Sequence, residues 1–131
     1  MLKSILNTFR YDGIEHGGLL FCKEREIVGF YFDKEGFSDA KSYYPGKGIP
    51  TAISKAYKRG LGFIFVHCHP YREGHKTILS YGDIRFAKEF LKYNLGWENV
   101  IMALISGRKM YLYGITECDC TEYGEVATEE R

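Results

Sequence analysis

An α/β sandwich is the fold class this sequence predicts, and three observations predict it. Short runs of β-forming residues recur along the chain, apolar stripes at helical spacing alternate with them, and Gly62-Phe63-Ile64-Phe65-Val66-His67 is apolar almost without a break. Such a run belongs to a strand buried on both faces, which needs helices packed against the sheet. With 131 residues, 45% hydrophobic and 16% aromatic, there is apolar material for one real core, so a single domain is expected.

The elements follow in order. Leu2, Ile5, Leu6 and Phe9 fall at helical spacing, which predicts a short amphipathic helix over residues 2–9, ended near Asp12-Gly13. Residues 17–22 and 27–32 are apolar runs separated by the charged Lys23-Glu24-Arg25-Glu26, the pattern of two strands joined by a hairpin. Tyr43-Tyr44 continues a third strand before Pro45-Gly46. From Pro50 to Arg59, proline opens a helix, basic residues gather near its end and Gly60 can cap it. The buried strand 62–67 then delivers His67 at its carboxyl end. Ser80 can cap a helix whose positions Ile84, Phe86, Ala87, Phe90 and Leu91 form a buried stripe, ending near Leu95-Gly96, with Asp83 in the first turn. Residues 100–105 and 110–115 form the last hairpin, around Ser106-Gly107-Arg108-Lys109. The domain is expected over residues 1–120; residues 121–131 are acidic and poor in large apolar side chains, which predicts a frayed tail.

Composition removes several function classes. Lys and Arg total 18 against 17 for Asp and Glu, so no long-range field draws in nucleic acid or an anionic membrane. No apolar run approaches the ~20 residues that span a bilayer, and the first residues lack a signal-peptide pattern, so a soluble cytoplasmic protein is expected. Cys22, Cys68, Cys118 and Cys120 are too few and too irregularly spaced for a disulfide framework and read as reduced thiols.

The chemistry gathers around the buried strand. His67-Cys68-His69-Pro70 stands at its end, and Ser80-Tyr81-Gly82-Asp83 opens the following helix. In extended chain, residues i and i+2 point to one side, so His67 and His69 can grip one metal ion while Asp83 approaches from the helix. Two imidazoles and one carboxylate leave a fourth tetrahedral position for water, as a catalytic zinc site requires. The plainer alternative is a polar strand end beside a carboxylate that favours the positive pole of a helix.

The larger pattern bears on that choice. His-x-His-Pro at a strand end followed by Ser-x-x-Asp at a helix start resembles the JAMM signature of the JAB/MPN metalloproteases, and Glu15-His16-Gly17-Gly18-Leu19-Leu20 resembles the family's upstream glutamate segment. Element order extends the resemblance over residues 2–116. It implies a JAB/MPN-like, cytidine-deaminase-like sandwich with a central mixed β-sheet flanked by helices, holding Zn2+ through His67, His69 and Asp83. Glu15 is then the general base that takes a proton from water and returns it to the departing amine. The Ser80 hydroxyl serves as helix cap, as donor to the developing oxyanion, or as both.

Two departures from the family pattern stand out. The stretch from Pro70 to Leu79 is longer than the usual spacing, which a loop absorbs cheaply, and Cys68 sits where Ser or Thr is usual. Cys68 reads as a small buried residue; His16, Glu73 and His75 read as solvated or hydrogen-bonding groups; Cys118 and Cys120 are a weak metal signal. The loop is expected to border the active site and to offer Arg72 and Lys76 to substrate without supplying a ligand.

For substrate, the resemblance implies the amide bond after the carboxyl-terminal tail of a ubiquitin-like protein, in a bacterial or phage pathway. The alternatives are a related hydrolase of a sulfur-carrier protein, a non-catalytic MPN-type scaffold, and a nucleic-acid-associated protein like the RadC family. The balanced charge weakens the last, and the intact set of five site residues argues against a scaffold.

Overall fold

The computed structural model describes residues 1–74, 78–94 and 96–126. In chain order it has α1 (Leu2–Thr8), β1 (Gly17–Lys23), β2 (Glu26–Phe32), β3 (Phe37–Ser38), β4 (Tyr43–Tyr44), α2 (Gly48–Lys58), β5 (Gly62–Cys68), α3 (Tyr81–Tyr93), β6 (Val100–Ser106), β7 (Lys109–Ile115) and β8 (Cys120–Glu125). Among the described residues, six strands form one sheet in the order β2-β1-β5-β6-β7-β8, and β3 and β4 form a separate two-stranded ladder. Only β5 and β6 run parallel, with α3 as their connection, so the sheet is mixed and the fold is α/β with helices flanking a central sheet.

Strand alternation divides the core into two layers. Leu19, Phe65, Met102, Leu104, Tyr113 and Ile115 face Ile49 of α2 and Ala87 and Leu91 of α3. Their neighbours in sequence, including Leu20, Ile64, Val66, Cys68, Ala103 and Ile105, face Ile5 of α1 and Phe9, the residue that follows that helix. Strand β5 contributes to both layers, which is why its sequence shows no polar alternation. Odd-numbered residues of β5 look toward α2 and α3, and this parity aims His67 and its successor His69 at the helix that carries Asp83.

Element ends match the residue chemistry. The β6–β7 hairpin turns through Gly107 and Arg108, with Gly107 at φ 63°, a conformation that glycine takes without steric cost. Helix α2 starts two residues before Pro50, which puts the proline in the first turn, where its missing N–H costs nothing. Among the described residues, no helix is long and apolar enough to cross a membrane.

Tyr43-Tyr44 is a strand, as expected, and it pairs with Phe37-Ser38 in a separate ladder, because residues 33–46 leave β2 as a folded-back excursion. One expectation is corrected. The acidic segment after residue 120 does not fray at its start: residues 120–125 pair with β7 as the edge strand β8, through backbone hydrogen bonds that need no apolar side chains. Residues 127–131 lie outside the described part.

Gly18 and Gly29 offer a contrast between a required and a replaceable glycine. A Cβ on Gly18 would collide with the backbone carbonyl of Tyr31, whereas one on Gly29 meets only the Phe21 ring at 3.8 Å. Gly18→Ala should cost more than ~2 kcal/mol of stability, and Gly29→Ala should change it by less than ~1 kcal/mol. Urea unfolding of both variants checks this, and equal losses would show that the β1–β2 contact is looser than described.

Candidate metal centre

The carboxyl end of β5 presents His67 and His69 on one face of the strand, with their Nε2 atoms 3.1 Å apart. Helix α3 begins across from them. Its cap is Ser80, whose hydroxyl accepts the Asp83 N–H at 3.2 Å while Asp83 Oδ2 accepts the Ser80 N–H at 2.8 Å. This reciprocal box locks the first turn and fixes the Asp83 carboxylate. The same Oδ2 lies 3.1 Å from His67 Nε2 and 3.2 Å from His69 Nε2.

Three donor atoms thus form a nearly equilateral triangle. Ligands about 2.0 Å from a tetrahedral ion stand roughly 3.3 Å apart, so the triangle has the size of one face of such a coordination shell. The donor set fits a zinc-sized cation in chemistry as well: two imidazoles and a carboxylate, close enough to share one ion.

Glu15 reaches the site from the sheet. In the β1–β5 ladder Gly17 pairs with His67, and extending that antiparallel register by two residues sets Glu15 opposite His69. Glu15 is 5% exposed, and its Oε1 is 3.9 Å from His69 Nε2. Glu15, His67 and His69 offer ligand atoms within 4.8 Å of one another, a group that could hold a metal ion. Cys118 and Cys120 are exposed, and among the described residues they join no such group.

Burial and charge set the protonation of these groups. Burial raises the Glu15 pKa above the usual carboxylate value, and the nearby His69 and His67 only partly oppose it. Burial also works against ionised Asp83, but hydrogen bonds from both histidines outweigh it and hold the carboxyl well below its ordinary range. For His69, burial favours the neutral ring, yet the Asp83 hydrogen bond and charge win and raise the pKa. The Cys68 thiol faces the α1 layer, accepts the His16 N–H at 3.2 Å and is pushed by burial up to about 11, which makes it an inert structural thiol.

A cleft of about 870 Å³ opens over the cluster. Its walls are the 40–45 segment, carrying β4, and the face of α3 bearing Gly82, Arg85, Phe86 and Glu89. Pro70 and Arg72 contribute from the long loop, as does the exposed Ser80. His75 and Lys76 lie outside the described residues, and Glu73 does not line the cleft. His16 turns away to Asp12, 2.8 Å distant. The sequence shows a strand at Tyr43-Tyr44 but not its place as a wall of the cleft, because a two-residue strand has no periodicity to say which face it presents.

In a scan against models of known protein families and a search of curated proteins, nothing matches this chain.

The electrostatics predict how the metal-free chain responds to pH. His69 has a folded pKa raised above 6.5, so its contribution to stability is complete below that value and is lost as pH rises through the folded pKa. Asp83 is depressed, so its contribution is present above the unfolded carboxylate value of 3.8 and is lost as pH falls toward the folded one. Glu15, raised by burial, adds to the loss on the alkaline side. Urea midpoints of the metal-free chain should therefore be highest at about pH 4 to 4.5, decline above that as Glu15 ionises and decline again above about 6.5 as His69 loses its proton, and Asp83→Asn should flatten the second decline. A midpoint that keeps rising from pH 6 to 8 would contradict the assignment.

Proposed function

We propose that this chain is a zinc-dependent peptidase or isopeptidase of the JAB/MPN kind, with His67, His69 and Asp83 as zinc ligands and Glu15 as general base. The observation that carries the reading is the triangle of His67 Nε2, His69 Nε2 and Asp83 Oδ2, with edges of 3.1, 3.1 and 3.2 Å, beside a buried carboxylate that stands back at 3.9 Å. Asp83 is the closer carboxylate and suits the role of ligand; Glu15 is set back by about the space a water molecule needs. The α/β fold, with its mixed sheet and HxHP strand end, is consistent with a JAB/MPN-like sandwich.

His67, His69 and Asp83 would hold the zinc ion, which would supply Lewis acidity toward the scissile carbonyl and toward the attacking water. Glu15 accepts the proton at Oε1 and returns it to the departing amine nitrogen. Burial makes its carboxylate more basic than a solvated glutamate, which suits both halves of that cycle. The Ser80 oxygen is engaged as cap acceptor, but its O–H remains a donor at the cleft surface and can meet the developing oxyanion.

The substrate in this reading is an extended peptide, with the carboxyl-terminal tail of a ubiquitin-like protein as the preferred class. Strand β4 lines the cleft and, among the described residues, pairs only with β3, so its other edge can take an added strand. Phe86 and Tyr44, with ring centroids 6.3 Å apart, join the two walls and favour a narrow, glycine-rich tail. Arg72 lines the rim and can meet substrate charge. A scaffold would have no use for one buried and one partly buried histidine converging with two carboxylates beneath a cleft.

The purified chain should bind one zinc ion, and His67→Ala combined with His69→Ala should abolish that binding. Stoichiometric zinc retained by the double variant, measured by elemental analysis, would move the ligand set elsewhere. Glu15→Gln keeps the side-chain size and should keep the metal while lowering kcat by roughly 100- to 10,000-fold on a fusion cleaved after a diglycine tail. Undiminished turnover at full zinc occupancy would assign the proton to another acceptor. Arg72→Ala should raise KM with zinc content and kcat unchanged, and loss of zinc from that variant would bring the loop into the coordination shell.

A further inference from the structure

The wall of the cleft and the carboxylate at its floor hang from one buried acid. Asp33, just after β2, is 4% exposed, and its carboxylate is part of no ion pair among the described residues. It accepts the Tyr43 hydroxyl at 2.7 Å, the Gly46 N–H at 2.7 Å and the Glu35 N–H at 3.0 Å. Its backbone N–H donates to the Gly17 carbonyl at 2.9 Å. Asp33 therefore ties both ends of the 33–46 excursion to the start of β1.

Tyr43 links this acid to β1. Its hydroxyl is held by Asp33, and its ring lies flat enough on Gly17 that any Cβ there would overlap it. Gly17 is the register partner of His67 and follows Glu15 by two residues. A second tie joins the same excursion to Glu15 directly: the Glu15 N–H donates to the Asp39 carbonyl at 2.8 Å. Within its own turn the Asp39 carboxylate accepts the Lys41 N–H at 2.9 Å, and the Asp39 N–H goes to the Ser42 carbonyl at 2.9 Å. The backbone that aims Glu15 is thus fixed to a turn whose seat is Tyr43 on Gly17.

We infer that Asp33 and Tyr43 are positioning residues: they seat the β3–β4 wall on Gly17 so that wall and Glu15 are held as one unit, and Glu15 is aimed only while the wall is seated. The inference deepens the proposed function and rests on Glu15 being the base. It gives the enzyme a way to respond to its substrate, because a chain that presses on Tyr44 or Ser42 presses on the unit that carries the base. It also explains a glycine at position 17, where a side chain would lift the wall.

Two variants of the full chain test this. Tyr43→Phe removes only the hydroxyl, and Gly17→Ala leaves the hydroxyl and Asp33 intact but pushes the ring from below. In both, hydrogen exchange of the Glu15 amide should quicken at least tenfold, while amides of the β5–β6 ladder keep their protection and zinc affinity stays within about twofold. With the diglycine-tail fusion as substrate, at temperatures far below unfolding, kcat should fall at least tenfold at nearly unchanged KM. A purely structural role would lower the unfolding temperature and leave kcat of the folded enzyme intact. Unchanged exchange at Glu15 in both variants overturns the inference, and so does a loosened Glu15 with undiminished kcat. If the zinc-loaded parent chain cleaves nothing, the peptidase reading fails by itself, and the exchange at Glu15 still decides whether Tyr43 holds wall and carboxylate together.

Discussion

Everything at the site depends on the antiparallel register of β1 against β5. Gly17 opposite His67 is the pairing that matters, since strand alternation then puts Glu15, Gly17, His67 and His69 on the same face. A slip of one residue would turn both histidines toward α1, where Val66 and Cys68 now pack, and would exchange one core layer for the other. The two hydrophobic layers therefore hold the register, because neither can accept the other's residues without burying imidazole in an apolar layer or exposing leucine.

The second determinant is the start of α3. Asp83 is at once the third residue of a capping box and the carboxylate nearest both histidines. The stability of the helix terminus and the geometry of the site thus share one side chain, and neither requires a long flexible residue to be ordered. Holding a carboxylate against two imidazoles in a half-buried pocket is costly unless charge is matched, and the opposite pulls on Asp83 and His69 show how the pair compensates. A divalent cation would meet the same need with greater effect, since every atom of the triangle has a lone pair to donate to a metal ion.

Much of this was legible in the sequence, for local reasons. The unbroken apolar run of β5, the His-x-His spacing and the Ser80–Asp83 cap each depend on residues a few positions apart, and each appears in the structure where local rules put it. Glu15 was legible only through a resemblance, because its approach to His69 arises from a pairing of strands some 50 residues apart in sequence. Tyr43-Tyr44 is legible as a strand, but the wall it forms with β3, the role of Tyr43 and the buried Asp33 are not. Two-residue strands carry no period, and Asp33 looks like any turn aspartate until its three partners, up to 13 residues distant, are brought around it. Strand β8 was misread for the opposite reason: an edge strand with exposed side chains is held by its backbone, and its composition resembles that of a tail.

The central claim is the identity of the ligands, and X-ray absorption at the zinc edge of the zinc-loaded chain tests it most directly. Two imidazole nitrogens and carboxylate or water oxygens at about 2.0 to 2.2 Å, with the carboxylate contribution lost in Asp83→Asn and kept in Glu15→Gln, is the result this account predicts. A sulfur shell at about 2.3 Å, or a carboxylate contribution that disappears with Glu15 and not with Asp83, would contradict it.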